Sequence, residues 1–264
     1  MQQKRQLTAI SSGPLPQERR LAILAHLEGR GRVVSSDLAR QWEISEDTIR
    51  RDIRELDDAG LLHRVHGGAL PRSPQVAPYK DRAESNLAEK VRLGVHGAGA
   101  IADGMTVLLY GGTTVLEAAR RLRPDLRARI VTNDPRIALE VASRPAVETI
   151  LLGGRVLSDS QLVVGTQAID DVRALRADLA LIGACALHDE FGVGISDYDE
   201  AALQRAFLAA SNGVVALVTT DKLQTVAPFR VASAAAITRL VTTVNADSAV
   251  LARFRNLGLA VECV

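Results

Sequence analysis

Residues 70–78 carry three prolines, Pro71, Pro74 and Pro78, and they divide the sequence into two unlike patterns. Each proline fixes its own φ and withdraws a backbone donor, so a linker is expected there rather than a helix or a central strand. Before it, arginines and carboxylates are dense and periodic. After it, short apolar runs alternate with amphipathic stretches. Two modest domains suit 264 residues so divided, and an apolar share of 47% is enough for a core in each. The same proportions exclude a disordered, collagenous or disulfide-stapled chain. Two cysteines, Cys185 and Cys263, build no disulfide framework, and no CxxC or Cys/His metal spacing occurs. The opening residues hold no apolar core of signal-peptide length, and no run approaches the ~18 apolar residues of a membrane span. A reducing, cytoplasmic location is expected, with no membrane partner.

In the first pattern, a helix is expected over residues 17–28, with Leu21, Leu24 and Leu27 at three-residue spacing, Ile23 beside them, and Gly29 and Gly31 at its end. Ser35 or Ser36 suits the N-cap of a short helix over 37–42, and Asp37 is favourable in its first turn. A tight turn at Glu43-Ile44 follows. Ser45 then caps a third helix over 46–59, which stops at Gly60. Ile49, Ile53 and Leu56 fall at i, i+4 and i+7 and should face a core. Residues 61–70 alternate apolar and polar side chains up to Gly67-Gly68, the pattern of a small hairpin. Three short helices, a tight turn and a hairpin make a winged helix-turn-helix.

Charge alone does not indicate a nucleic-acid partner, because residues 17–72 hold ten arginines against ten carboxylates. The placement of the arginines is more telling. The third helix of such a fold enters the major groove by its N-terminal residues, here Ser45, Glu46 and Thr48. Arg50, Arg51 and Arg54 are then in reach of base edges or phosphates, and Ser35 and Ser36 offer donors to a phosphate at a helix start. Taken in isolation, the same stretch also reads as an ordinary solvated, salt-bridged helix.

The second pattern starts with a helix over 84–102 and continues with strands over 105–110, 130–133, 147–152, 180–183, 214–218, 241–244 and 259–264. Helices over 115–122, from Asp134, and over 198–210 alternate with them. That alternation indicates a mostly parallel, covered sheet. Ligands in such sheets sit beyond the carboxyl ends of strands. Gly111-Gly112-Thr113-Thr114, a strand-to-helix turn, offers close backbone approach, outward N–H groups and a helix dipole suited to an anion. Asn133 and Lys222, at neighbouring strand ends, are expected on the same rim. All three features have plainer readings too: the Gly111–Thr114 stretch as a tight turn with a threonine N-cap, Asn133 as a helix N-cap and Lys222 as a surface charge.

The stretch SSDLARQWEISEDTIRRDIRELDDAGLLHRVHGGAL resembles the N-terminal domain of DeoR-family bacterial transcriptional regulators. Ser45, Thr48, Ile49, Arg50, Arg51, Asp52, Leu56, Gly60, Leu62, Arg64, His66, Gly67, Gly68 and Ala69 match that family's pattern, with Ile53 in place of Leu. The second half is similar to the family's sensor domain at Gly112-Thr113-Thr114, Thr132-Asn133, residues 151–154, Val164-Gly165 and Lys222. The resemblance implies a fold related to ribose-5-phosphate isomerase and an effector that is a phosphorylated sugar or related metabolite. Two positions depart from it. Tyr110 and Thr219 stand where members of the family commonly carry Asp, and each change removes a carboxylate able to bind sugar hydroxyls.

The expected organisation is therefore a flexible tail (1–16), a winged helix-turn-helix that binds an operator in double-stranded DNA (17–72), a linker (73–83) and an α/β effector-sensing and oligomerisation domain (84–264). DNA contacts are expected from Ser35, Ser36, Ser45, Glu46, Thr48, Arg50, Arg51, Arg54 and His66. Effector contacts are expected from Gly111, Gly112, Thr113, Thr114, Asn133 and Lys222. A single head reads few base pairs, so a homo-oligomer, dimer or tetramer, is expected. Neither cofactor nor metal is expected: His26, His63, His66 and His188 lack ligand spacing, and His66 already belongs to the wing. Cys185 reads as a core residue. The rival reading is a sugar-phosphate isomerase-like enzyme with an accessory helical domain, whose base would come from Asp197, Asp199 or Glu200.

Overall fold

The computed structural model describes residues 15–72 and 79–264. The chain divides into two compact units, Met1–Arg72 and Ser73–Val264. The expected tail lies outside the described residues except for Leu15 and Pro16, and so does the expected linker up to residue 78.

Helix α1 (Pro16–Arg30) begins at its proline, which needs no N–H partner in a first turn, and ends at Gly31. It passes through Gly29, which was expected to stop it. Ile23 and Leu27, four apart, are buried, whereas Leu21 is exposed. Steps of three drift by about 60° around a helix, so the Leu21–Leu24–Leu27 row does not stay on one face. Strand β1 (Val33–Val34) runs directly into α2 (Ser35–Gln41), whose N-cap is Val34. Neither serine caps that helix. The Ser35 N–H instead donates to the Gly67 carbonyl at 2.8 Å, because β1 is already paired with the wing.

Helix α3 (Glu46–Asp58) starts at Ser45, whose hydroxyl accepts the Thr48 N–H at 3.2 Å, and Gly60 follows its end with φ 74°. Ile49, Ile53 and Leu56 are buried against Ile23, Leu27, Leu38 and Leu62. Asp52 lies on the same buried arc, and its carboxylate accepts the Arg19 Nε–H of α1 at 2.7 Å. Strands β2 (His63–Val65) and β3 (Gly68–Leu70) form the wing, in a three-stranded antiparallel sheet of order β1-β3-β2. Val34 pairs with Gly68 so closely that a Cβ at 68 would sit 1.8 Å from the Val33 carbonyl oxygen.

The second unit opens with α4 (Tyr79–Glu84) and α5 (Leu87–Gly99). A single helix was expected from residue 84, with linker up to 83. The helix instead begins at Tyr79 and breaks at Ser85-Asn86, where Asn86 takes φ 51°. Tertiary contacts explain the extra turn: the Arg136 guanidinium lies 3.6 Å from the Tyr79 ring centroid, and the Lys90 ammonium donates to the Arg82 carbonyl. Then follow β4 (Thr106–Leu109), α6 (Thr113–Arg120), β5 (Ala128–Thr132), α7 (Pro135–Ala142) and β6 (Val147–Leu151). A β7–β8 hairpin (Arg155–Val156 and Val163–Val164) leads to α8 (Thr166–Arg173) and β9 (Ala177–Gly183). Strands β10 (Ala186–His188) and β11 (Gly192–Ile195), α9 (Tyr198–Ala209), β12 (Ser211–Leu217) and β13 (Phe229–Ala232) come next. Strand β14 (Arg239–Thr242), α10 (Ser248–Asn256) and β15 (Ala260–Cys263) complete the unit.

Seven parallel strands pair in the order β15-β14-β12-β9-β4-β5-β6, and β10-β11-β13 form a separate antiparallel sheet. Alternate residues of the large sheet enter separate cores, as a period of two requires. Leu108, Ala180, Ile182 and Ala216 pack with Phe207 and Phe254, while Val107, Leu109, Leu181 and Leu217 pack with Leu93, Val115 and Ile137.

Removing the Asp52 carboxylate should cost the first unit ~3–5 kcal/mol, the scale of a broken buried pair. Trp42 is the sole tryptophan and packs on that unit's core. Its fluorescence in urea should therefore show Asp52→Ala unfolding at a clearly lower midpoint; an unchanged midpoint would refute the role given to the pair.

Candidate effector cavity and nucleic-acid interface

Strand order reverses between β4 and β9, and a crevice opens beyond the carboxyl ends of both. A cavity of about 340 Å³ lies there. The turn after β4 supplies Tyr110 to Thr114, the turn after β9 supplies Gly183 to Cys185, and the segment after β12 supplies Thr219, Asp221 and Lys222. Helices α4 and α5 contribute Asp81, Arg82 and Lys90, and α9 contributes Glu200.

The glycine–threonine turn is held from behind. Gly111 donates its N–H to Asn133 Oδ1 at 2.8 Å, and Gly112 donates to Asp134 Oδ2 at 3.3 Å. A Cβ at Gly111 would come within 2.3 Å of Leu162 Cδ2 and 2.7 Å of Asp134 Cβ, so the turn packs only as glycine. Two of the N–H groups expected to face a ligand are thus already used. The amides of Thr113 and Thr114, in the first turn of α6, have no intrahelical acceptor and remain for an anion. Gly112, not a threonine, is the N-cap.

Asn133 is misplaced by the sequence reading. It is wholly buried, its amide donates to the Val163 carbonyl at 3.2 Å, and it does not line the cavity. It braces the turn, and Asp134 rather than Asn133 caps α7. Gly111, Gly112, Thr113, Thr114 and Lys222 do line the cavity. Cys185, read as a core residue, is half-buried on the cavity wall, where burial pushes its thiol up.

Sequence reasoning missed Arg82 and Lys90. Lys90 sits on the buried stripe of α5 with Leu93, Gly94 and Gly97, and a lysine on such a stripe was the available signal. Its ammonium donates to the Arg82 carbonyl and, at 3.5 Å, to the Ser85 hydroxyl. Burial pulls its pKa down, Asp221 opposes that, and Lys222 and Arg82 add to it. A bound anion would favour the charged form of this buried ammonium.

At the departures, the structure answers each in its own way. Tyr110 is buried edge-on to Phe207, and its hydroxyl donates to the Glu200 carbonyl at 3.0 Å. Burial, then the Glu200 charge, holds that phenol well above its usual range. Thr219 lines the wall without a carboxylate, but Asp81, Asp221 and Glu200 bring carboxylates from other elements. A side lobe of about 170 Å³ adjoins through Arg82, Cys185 and Glu200 and is lined by Ser158, Asp159, Ser160, Ser196 and Asp197. Burial raises the Glu200 carboxyl, which a hydrogen bond from Ser160 partly offsets.

In the first unit, α3 and the wing enclose a groove of about 490 Å³ lined by Arg50, Arg54, Arg64 and His66. Ser35 lies at its floor, buried and with its N–H spent, and so offers no backbone donor to a phosphate. Ser36 is exposed. Ser45 and Thr48 hydrogen-bond to each other at 2.8 Å, and Arg50 pairs with Glu46 at 2.8 Å. Arg51 and Arg54 are exposed and, among the described residues, unpaired.

A winged helix joined to a parallel α/β unit with a crevice lined by both cations and carboxylates defines a DNA-binding transcriptional regulator with a sensor domain. The models of the DeoR-like helix-turn-helix domain and the DeoR C-terminal sensor domain match residues 19–75 and 85–243. The chain belongs to the DeoR family of transcriptional regulators. It is 33% identical to the HTH-type transcriptional regulator GlpR of Haloferax volcanii, over 89% of this chain and 93% of that one. To the HTH-type transcriptional regulator GolR of Listeria innocua it is 27% identical, over 94% and 98%. It is 30% identical to the Glycerol-3-phosphate regulon repressor of Escherichia coli, over 78% and 82%. With both units matching models of regulators, the isomerase-like enzyme is set aside. No helix among the described residues is long and apolar enough to cross a membrane.

The raised Glu200 carboxyl has a stability consequence. The folded chain holds that proton more tightly than the unfolded chain, so stability falls as pH rises from 4.5 through the folded value. Glu200→Gln removes the penalty. Its melting temperature should exceed that of the wild type at pH 7 and converge with it below pH 4.5; a pH-independent difference would contradict the assignment.

Proposed function

We propose that the protein is a repressor whose operator affinity falls when a phosphorylated sugar or related metabolite occupies the sheet crevice. The observation that carries this reading is the buried Lys90 ammonium facing a glycine–threonine turn with unused amides, in a chain that also carries a DNA-reading helix. In this reading the anionic end of the ligand sits among Lys90, Lys222, Thr113 and Thr114. Its hydroxyls reach Asp81, Asp221 and the serine-lined side lobe, which replace the carboxylates missing at Tyr110 and Thr219. The names of several relatives, the Glycerol-3-phosphate regulon repressor among them, are consistent with it. Release follows if the effector binds the low-affinity state more tightly than the DNA-bound state.

On the DNA side, Ser45, Glu46 and Thr48 lead α3 into the major groove, with Arg50, Arg51 and Arg54 behind them. Ser36 and His66 meet the backbone, and Arg64 joins His66 in the wing. Ser35 supports this face from below. The protein acts in the cytoplasm as a dimer or tetramer on repeated half-sites, and needs no cofactor or metal.

Operator duplexes selected from a random pool supply the test on the DNA side. Arg51→Ala/Arg54→Ala should bind a selected duplex ~100-fold more weakly, the scale of two lost bidentate contacts, with an unchanged circular dichroism spectrum. Wild-type affinity in that variant would overturn the α3 reading. For the ligand, a thermal-shift screen of phosphorylated sugars and polyols should yield a compound that raises the melting temperature. Its effect should vanish in Lys90→Ala and in Thr113→Pro, which removes the first-turn amide at a position that tolerates proline, and persistence in both would place the site elsewhere.

A further inference from the structure

Arg136, on α7, touches three separate elements around the crevice. Its Nε–H and one Nη–H donate to the two oxygens of Asp134, both at 2.8 Å. Its remaining donors reach Gln161 Oε1 at 3.1 Å and the Ser160 carbonyl at 3.2 Å, in the β7–β8 loop that walls the side lobe. Its face lies 3.6 Å from the Tyr79 ring centroid. Asp134 is wholly buried, and its Oδ2, held by Arg136, is also the acceptor for the Gly112 N–H. Tyr79 is the first described residue of the second unit and the first of α4.

We propose that Arg136 is a positioning residue that passes the occupancy of the glycine–threonine turn to Tyr79 and so to the start of α4. This rests on the reading of the crevice as the effector site. An anion at Thr113 and Thr114 competes with the Asp134 carboxylate for the Gly112 N–H and repels it. That carboxylate is clamped by a two-pronged guanidinium, so displacement of one displaces the other. The guanidinium face is in turn the platform for Tyr79. A lysine at 136 would keep the charge but neither the fork nor the planar face.

Amide hydrogen exchange on the full chain separates this relay from a merely structural clamp. Tyr79→Leu should speed exchange at the Gly112 amide, which is bonded to Asp134, roughly threefold, the scale of a lost guanidinium–aromatic contact. The same substitution in an Arg136→Ala background should add nothing there. Arg136→Lys carries the same cycle if the alanine variant loses its fold. Exchange at the Gly112 amide that ignores Tyr79→Leu, or a Tyr79 effect that persists undiminished without Arg136, overturns the proposal. Inorganic phosphate is the ligand probe. Phosphate that protects 112–115 and alters exchange in Tyr79–Glu84 only when Arg136 is present supports the relay; protection without the second change overturns it. If the variant cycle holds but phosphate leaves 112–115 untouched, the effector reading fails and only the coupling of Tyr79 to the turn through Arg136 stands.

Discussion

A parallel sheet buried on both faces can offer polar groups to a ligand only at its ends, and here the choice of end follows from one reversal of strand order. Strands β5 and β6 extend the sheet from one side of β4, and β9, β12, β14 and β15 from the other. The loops leaving β4 and β9 therefore diverge, and the crevice between them collects residues that lie far apart in sequence. Everything around it serves to hold that opening in shape. Asn133 and Asp134 fix the first loop by its amides, and Leu162 seals it against a glycine. The Lys90 ammonium, bonded to the Arg82 carbonyl, ties α4 to α5 at the rim.

Local chemistry made some of this readable and hid the rest. Ser45 and Gly60 act where a capping hydroxyl and a left-handed stop were expected, since caps depend on neighbours only a few residues away. The three apolar positions of α3 were equally legible from their spacing. Ser35 was not, because whether it caps a helix depends on β1 being occupied by a strand more than thirty residues downstream. Asn133 failed for a related reason: its position at a strand end is a local fact, while the direction of its side chain is set by Gly111 and Val163.

The small antiparallel sheet and the β7–β8 hairpin left little trace in the sequence. Their strands are two to four residues long, and Gly192-Val193-Gly194-Ile195 is buried throughout, so no alternation marks it. These elements nevertheless bring Ser158, Ser160 and Ser196 to the side lobe. Tyr110 and Thr219 suggested a sensor stripped of its hydroxyl-binding groups. Three-dimensional proximity restores carboxylates from α4, α9 and the segment after β12, which no pairwise comparison with a family pattern would reveal.

The close approach of β1 to Gly68 has a genetic corollary. Any side chain at that codon collides with main chain rather than with a movable neighbour, so even alanine forces the hairpin off the three-helix core. The damage falls within the smaller unit, whose core is separate from the two cores of the larger. Alleles altered there should lose operator binding while the larger unit keeps its fold. Such mutants would be recognisable by that combination alone.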